Sequence, residues 1–177
     1  MAGAVALWLV AVGAWGETPE GLLDRYRQQA KGADAAFEEF SAERGYTLYR
    51  DKHPIMGVGA VNCASCHRKN PREQIRAHRT DILCRACHVI NDEEHPEPHN
   101  AKKRVIEPFA PGANPKRFTD FDVAERFFKT NCQLVLKREC TAREKGDLIT
   151  YLLSVEGPAI EAPDPAAGLR EQAQQSQ

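Results

Sequence analysis

Apolar residues recur at helical spacing in two stretches of the chain, and between them the pattern disappears. Thr18-Pro19-Glu20 reads as a helix start, a capping residue followed by proline at the first helical position. Leu22, Leu23, Tyr26 and Ala30 then fall on one side, predicting a helix to about Gly32. Asp34 is placed to cap a second helix reaching Tyr49, with Phe37, Phe40 and Tyr46 inward and Gly45 as a break. Residues 50 to 117 are rich in Pro, Gly, Asn, His and charge. So long a stretch without periodicity should not persist in a compact domain unless something else organises it. Helical pattern returns at Thr119, read as the cap of a helix with Phe121, Val123, Ala124, Phe127 and Phe128. Thr141-Ala-Arg-Glu144 is a capping box opening a helix with Leu148, Ile149, Leu152 and Leu153 on one stripe, ending near Gly157. Residues 157–177 hold Pro, Ala and Gln with little to bury and read as a disordered tail. No strand pattern of consequence and no repeat array is present. The expected fold is mainly α: four helices around a long irregular middle.

Composition narrows the class. A chain of 177 residues predicts about one domain, and 42% hydrophobic with 28% charged residues excludes a collagen-like or wholly disordered chain. Lys and Arg total 24 against 25 Asp and Glu, a net charge of -1, which speaks against a nucleic-acid partner held by bulk charge. Residues 2–16 carry no charge and are too few to span a bilayer comfortably. They fit the apolar core of an export signal, residues 1–16, with Ala14 and Gly16 before cleavage at Glu17; the basic segment that usually precedes such a core is missing. The alternatives are a short buried helix or an uncleaved membrane anchor. Export to the periplasm leaves residues 17–156 as the domain and exposes its thiols to oxidising conditions.

Six cysteines and six histidines are the unusual feature. Cys63-Ala-Ser-Cys66-His67 and Cys84-Arg-Ala-Cys87-His88 are both C-x-x-C-H, the attachment signature of c-type haem. Thiols at i and i+3 reach the two vinyl groups of one porphyrin, and the following histidine lies under its iron. Zinc competes, because the four thiols also satisfy C-x2-C-x15-20-C-x2-C. A zinc site does not require histidine after each second cysteine, and chance placement of both, (6/177) squared, is about 0.001. Two covalent haem c groups are therefore expected, and they would supply the apolar surface that the irregular middle lacks. Cys132 and Cys140, with no histidine after either, would pair in an oxidising compartment or stay as two buried free thiols.

His67 and His88 are the proximal ligands of this reading. Met56 lies upstream of both motifs, so His/Met ligation of the usual topology is disfavoured. His53, His78, His95 and His99 are the distal candidates, and at least one is expected on iron. Pro96 and Pro98 keep His95 and His99 off a common helix.

Beyond these motifs the chain resembles the sphaeroides haem protein family, small exported c-type cytochromes with a class I-like helical fold. The resemblance rests on Thr18-Pro19 with Leu22, Leu23 and Tyr26, then Glu43-Arg44-Gly45 and Cys63-Ala-Ser-Cys66-His67. It resumes at Ile106-Glu-Pro108, Ala110-Pro111, Pro115-Lys-Arg-Phe118-Thr-Asp120, Asn131-Cys132, Arg138-Glu-Cys140-Thr and Glu144-Lys. It implies class I-like helices around covalent haem and a disulfide between Cys132 and Cys140. It further implies that Asn131 occupies the sixth position of oxidised haem, leaves on reduction and frees the iron for oxygen or nitric oxide. Members of that type carry one haem. The distance from Glu43-Arg44-Gly45 makes the first motif the family haem and residues 70–103 an insertion bearing the second; spacing downstream, taken alone, favours the second motif.

Arg68, Lys69, Arg72, Arg76, Arg79 and Arg85 cluster around the motifs, either as a docking face for an acidic redox partner or as counter-ions of haem carboxylates. The leading expectation is an exported dihaem cytochrome, an electron carrier more than an enzyme, moving single electrons between redox proteins such as a membrane-bound cytochrome or another c-type cytochrome. The alternatives are binding or reduction of a small gaseous ligand at an Asn131-ligated haem, and a structural zinc module.

Overall fold

A computed structural model describes residues 17–55, 59–74 and 106–161. The expectations for residues 1–16, Met56, His78, Cys84, Cys87, His88, His95, His99 and the tail from residue 162 lie outside them.

The described fold is mainly α. Helix α1 (Pro19–Ala33) starts where Thr18 Oγ1 accepts from the Gly21 N–H at 3.2 Å, and it buries Leu22, Tyr26 and Ala30, one residue per turn. Asp34 does not open the next helix. Its backbone N–H closes α1 on the Ala30 carbonyl, and its carboxylate accepts from the Ala36 N–H at 2.9 Å, the local turn that Asp forms in competition with a helix. Residues 35 to 41 therefore run without helix, and Phe37 and Phe40 enter the core from irregular chain, rings 5.0 Å apart. Helix α2 (Ala42–Arg50) is capped instead by Ser41, whose hydroxyl accepts from the Arg44 N–H at 3.2 Å.

Strands β1 (His53–Ile55) and β2 (Gly59–Val61) pair antiparallel, His53 opposite Val61, and deliver the chain into the short helix α3 (Cys63–His67). Strand β3 (Glu73–Gln74) pairs in parallel with β4 (Ile160–Glu161). These two ribbons correct the expectation of no strand, and the second brings the start of the expected tail back onto the domain.

Helix α4 (Phe121–Leu136) is capped by Asp120, which accepts from the Val123 N–H at 2.9 Å; Thr119 instead donates to the Lys116 carbonyl. Lys137, at φ 60°, turns the chain out of α4 in the left-handed conformation that commonly ends helices. Helix α5 (Ala142–Ser154) begins in the Thr141–Glu144 capping box, with Thr141 Oγ1 accepting at 3.2 Å and Glu144 Oε2 accepting from the Thr141 N–H at 2.8 Å.

Helices α2 and α5 cross closely. A Cβ on Gly45 would stand 2.0 Å from the Asp147 carbonyl oxygen, and one on Gly146 would stand 2.2 Å from the Phe40 ring. Gly45 is thus the point of close approach inside a continuous helix, not a break. Asp147, buried in α5, accepts from the Ser41 N–H at 2.7 Å and from Arg44 Nε at 2.7 Å, which fixes the crossing. That crossing turns Tyr49 into the core and leaves Tyr46, expected inward, 48% exposed. Helix α1 lies against α5, and Tyr26 sits between Phe121 and Phe128 of α4, centroids 5.4 and 6.0 Å away. Burying each such aromatic or leucine stabilises by about 1.5–3 kcal/mol. The Tyr26 hydroxyl donates to Glu125 at 2.7 Å, and Lys145 bonds the same carboxylate at 2.8 Å, so the buried polar atoms of this contact are satisfied. Among the described residues no helix is long and apolar enough to cross a membrane.

Candidate haem site

The C-x-x-C-H motif is held from several sides. Asn62, buried ahead of α3, donates from Nδ2 to the Arg50 carbonyl at 2.6 Å, tying the motif to the end of α2. Ser65, between the two cysteines, accepts from the Asn62 N–H at 3.1 Å and donates to its Oδ1 at 2.9 Å. Past the helix, Arg68 takes φ 65°, and the buried Tyr49 hydroxyl donates to the carbonyls of Arg68 and His67 at 2.7 and 3.1 Å. Cys63, Cys66 and His67 thus stand on one short, braced helix, thiols at i and i+3 and imidazole next in line.

Phe109 reaches the motif from the irregular segment. Its N–H and that of Ala110 donate to the buried Pro71 carbonyl at 2.7 and 3.0 Å. The ring is thereby stacked on the His67 imidazole, centroids 4.4 Å apart and planes at 23°. Arg117 is fixed by Nε donating to the Pro108 carbonyl at 3.1 Å, and its guanidinium lies 5.8 and 5.9 Å from the Phe109 and Phe127 rings.

These groups border a cavity of about 490 Å³ between α3, the segment before α4 and the inner face of α4. Cys63, Cys66 and His67 face it from one side; Phe128, Asn131 and Val135 of α4 also line it. Burial, helped by the Arg117 charge, pushes the His67 imidazole down to about 4, so it is neutral at pH 7 with its lone pair available to a metal. Among the described residues its buried Nδ1 has no hydrogen-bond partner. Burial pushes the Cys63 thiol up to about 11. A large, mostly apolar space, two thiols at the right interval and a neutral imidazole fit a covalently attached haem.

Asn131 lies on the last full turns of α4, and its Nδ2 donates to the Phe127 carbonyl at 2.7 Å. The adjacent Cys132 is joined to Cys140 in a disulfide, Cα atoms 5.6 Å apart, and both sulfur-bearing residues border the cavity. His53 sits in β1 and is not among the residues bordering the cavity; its Nε2 is buried without a hydrogen-bond partner. Of the basic cluster, Arg72 donates from Nε to the Pro158 carbonyl at 3.0 Å and secures the β3–β4 ribbon, while Lys69 is exposed. Sequence reasoning missed Phe109, Arg117 and Tyr49. Only Tyr49 carries a sequence signal: it lies about one helical turn from Tyr46, the residue expected inward.

A family described as a domain of unknown function (DUF1924) matches residues 35–82 and 73–152. The chain belongs to that family. It is 29% identical over 139 residues to cytochrome c'' of Methylophilus methylotrophus, covering 78% of this chain and 81% of that protein. The cytochrome c-type protein SHP of Cereibacter sphaeroides is 38% identical over 69 residues, which is 39% of this chain and 52% of SHP. The crystal structure of oxidised cytochrome c'' superposes with a TM-score of 0.60 at 28% identity, covering 80% of this chain and 97% of that one. Oxidised SHP, described as an oxygen-binding cytochrome c, superposes with a TM-score of 0.55 at 28% identity, covering 78% and 99%. This DUF1924 protein is accordingly a c-type cytochrome, the class that holds haem covalently, and its helical fold is the one those proteins share. The zinc alternative gives way to that homology.

Proposed function

We propose that this DUF1924 cytochrome is exported and holds its family haem at Cys63, Cys66 and His67, with an exchangeable sixth position at Asn131 where a small ligand such as oxygen or nitric oxide binds. The observation that carries this reading is that Asn131 and His67 border the same cavity. Cys63 and Cys66 would form the thioethers and neutral His67 would give its lone pair to iron, which would supply a redox-active, ligand-binding centre. Arg117, in the cavity wall and donating to the neutral carbonyls of Pro108 and Glu107, is the counter-charge for haem carboxylates. The Asn131 nitrogen is committed to its own helix, so its amide oxygen remains as donor. That oxygen is neutral and binds iron more weakly than imidazole, so an incoming ligand can replace it. SHP, described as oxygen-binding, supports the reading by its similarity.

The test is optical titration of the reduced holoprotein with carbon monoxide. One adduct is expected in the native protein, and Asn131→His should close the position and remove it. A native protein that forms no adduct refutes the ligand role.

The second C-x-x-C-H motif favours a further reading, in which a haem at Cys84, Cys87 and His88 passes single electrons to the first from a redox protein partner. Intact mass of the exported protein decides between one haem and two, and fixes the mature N-terminus in the same measurement.

A further inference from the structure

A file of aromatic rings runs from His67 to the molecular surface. After the His67–Phe109 stack at 4.4 Å, Phe109 lies 6.4 Å from Tyr49, Tyr49 lies 5.5 Å from Tyr151, and Tyr151 lies 5.5 Å from Tyr46. Every step is within the range of direct aromatic contact. Exposure rises along the file, from 0% at Tyr49 through 9% at Tyr151 to 48% at Tyr46. The Tyr49 hydroxyl adds a second link, because it donates to the carbonyl of His67 itself.

We propose that this file conducts oxidising equivalents from the haem at His67 to Tyr46, where they appear as a surface tyrosyl radical. The inference rests on the haem position proposed above. The co-reactant is a hydroperoxide. Hydrogen peroxide would take two electrons from the ferric haem centre and two protons from solvent and leave as two waters. One electron then leaves the Tyr46 phenol and returns along Tyr151, Tyr49 and Phe109, making good one of the two. The Tyr46 hydroxyl proton passes to solvent and a neutral phenoxyl radical remains. The second equivalent stays at the haem.

The protons decide where the radical settles. The Tyr49 hydroxyl is aimed at two amide carbonyls, which do not take up a proton, so Tyr49 relays charge without holding it. Desolvation also holds the Tyr49 and Tyr151 phenols above their ordinary range. Tyr46 has water beside it. The rival is Tyr26, whose ring is 6.0 Å from Phe128 in the cavity wall and whose hydroxyl donates to Glu125, a base at hand. Tyr26 is fully buried, so a radical there would escape a bulky trap yet still give an electron-spin signal.

The experiment treats the full-length ferric holoprotein with hydrogen peroxide and a nitroso spin trap, maps the adduct by peptide mass, and records the tyrosyl signal on rapidly frozen samples without trap. A haem-stained peptide containing Cys63–His67 is isolated first, so a misplaced haem is recognised separately from a failed route. The adduct is expected on the peptide carrying Tyr46. Tyr46→Phe, at an exposed position, should leave the haem spectrum unchanged and lower adduct and radical yield about tenfold or more. Tyr151→Leu, which removes the middle ring, should give the same loss with Tyr46 intact, and Tyr26→Phe should change neither. An undiminished radical in Tyr46→Phe, or one abolished by Tyr26→Phe, overturns the proposal.

Discussion

The helical scaffold and the cavity wall of this cytochrome are stabilised by different means. Where α1, α2 and α5 meet, apolar residues fill the contacts at close range, and the buried polar groups Asp147 and Tyr26 have hydrogen-bond partners within the protein. Around α3 and the segment before α4, among the described residues, His67 has a nitrogen without a hydrogen-bond partner, Arg117 donates to neutral carbonyls and lies beside two aromatic rings, and these groups face a cavity. The scaffold is complete in its own residues. On the proposed reading the wall takes its remaining contacts from haem, so its integrity would be tied to chemistry that the scaffold does not share.

A substitution that touches only the scaffold should therefore have the largest effect on folding, whatever the state of the cavity. Gly45→Ala places a methyl carbon 2.0 Å from the Asp147 carbonyl oxygen and 2.8 Å from Tyr151 Cβ. Helix propensity alone favours alanine by about 1 kcal/mol. Overpacking should outweigh that and destabilise by about 3 kcal/mol, seen as a lower denaturant midpoint. A neutral or stabilising result would show that α2 and α5 are free to move apart, and the contrast between a rigid scaffold and an incomplete wall would fail.

The disulfide sharpens the comparison, because it lies at the turn that joins α4, whose inner face borders the cavity, to the scaffold helix α5. Replacing both Cys132 and Cys140 by serine opens a loop with a sequence separation of 8 residues. The chain-entropy argument gives a loss of about 2.5 kcal/mol in the unfolding free energy. If Asn131 occupies the sixth position, the same variant should also alter the oxidised haem spectrum, since loosening Cys132 frees its neighbour on α4. A loss of stability with an unaltered spectrum would assign the bridge to the scaffold alone.

The same division decides what was legible in the sequence. The Thr18 cap and the Thr141–Glu144 box are local devices, contained within four residues, and the structure forms both. Asp34 forms a turn where a helix cap is expected, because an aspartate that begins a turn and one that begins a helix share the same local signature, and only the partner differs. Tyr46 and Tyr49 are three residues apart on one helix, so periodicity could not choose between them; the choice was made by Gly45 resting on Asp147, more than 100 residues away. The motif at Cys63–His67 stands out in the sequence because covalent attachment demands a fixed local spacing, and the structure places its three residues on one cavity. Phe109 and Arg117 could not, because their positions follow from a backbone contact with Pro71 and from carbonyls in an aperiodic segment, which leave no trace in pattern or composition.

The smallest effect is expected at the outer edge of the disulfide turn. Hydrogen bonds from Arg138, at 2.6 and 2.8 Å, hold the Glu144 carboxyl below its ordinary range, aided by the Thr141 N–H. A carboxylate with a depressed value in the folded state contributes stability above the unfolded value, near 4.3, and loses it as pH falls through the folded one. Arg138 is 54% exposed, so solvent screens the pair and its contribution is held to about 1 kcal/mol or less. Glu144→Gln should therefore cost less than about 1 kcal/mol at pH 7, and the gap should close as the pH is lowered below the carboxylate range. Added salt should narrow the gap at pH 7 without touching the Gly45→Ala deficit, because ions screen an exposed pair and cannot relieve a steric clash in the core. A gap that persists at low pH would mean that the Thr141 cap, not the charge, is what the glutamate supplies.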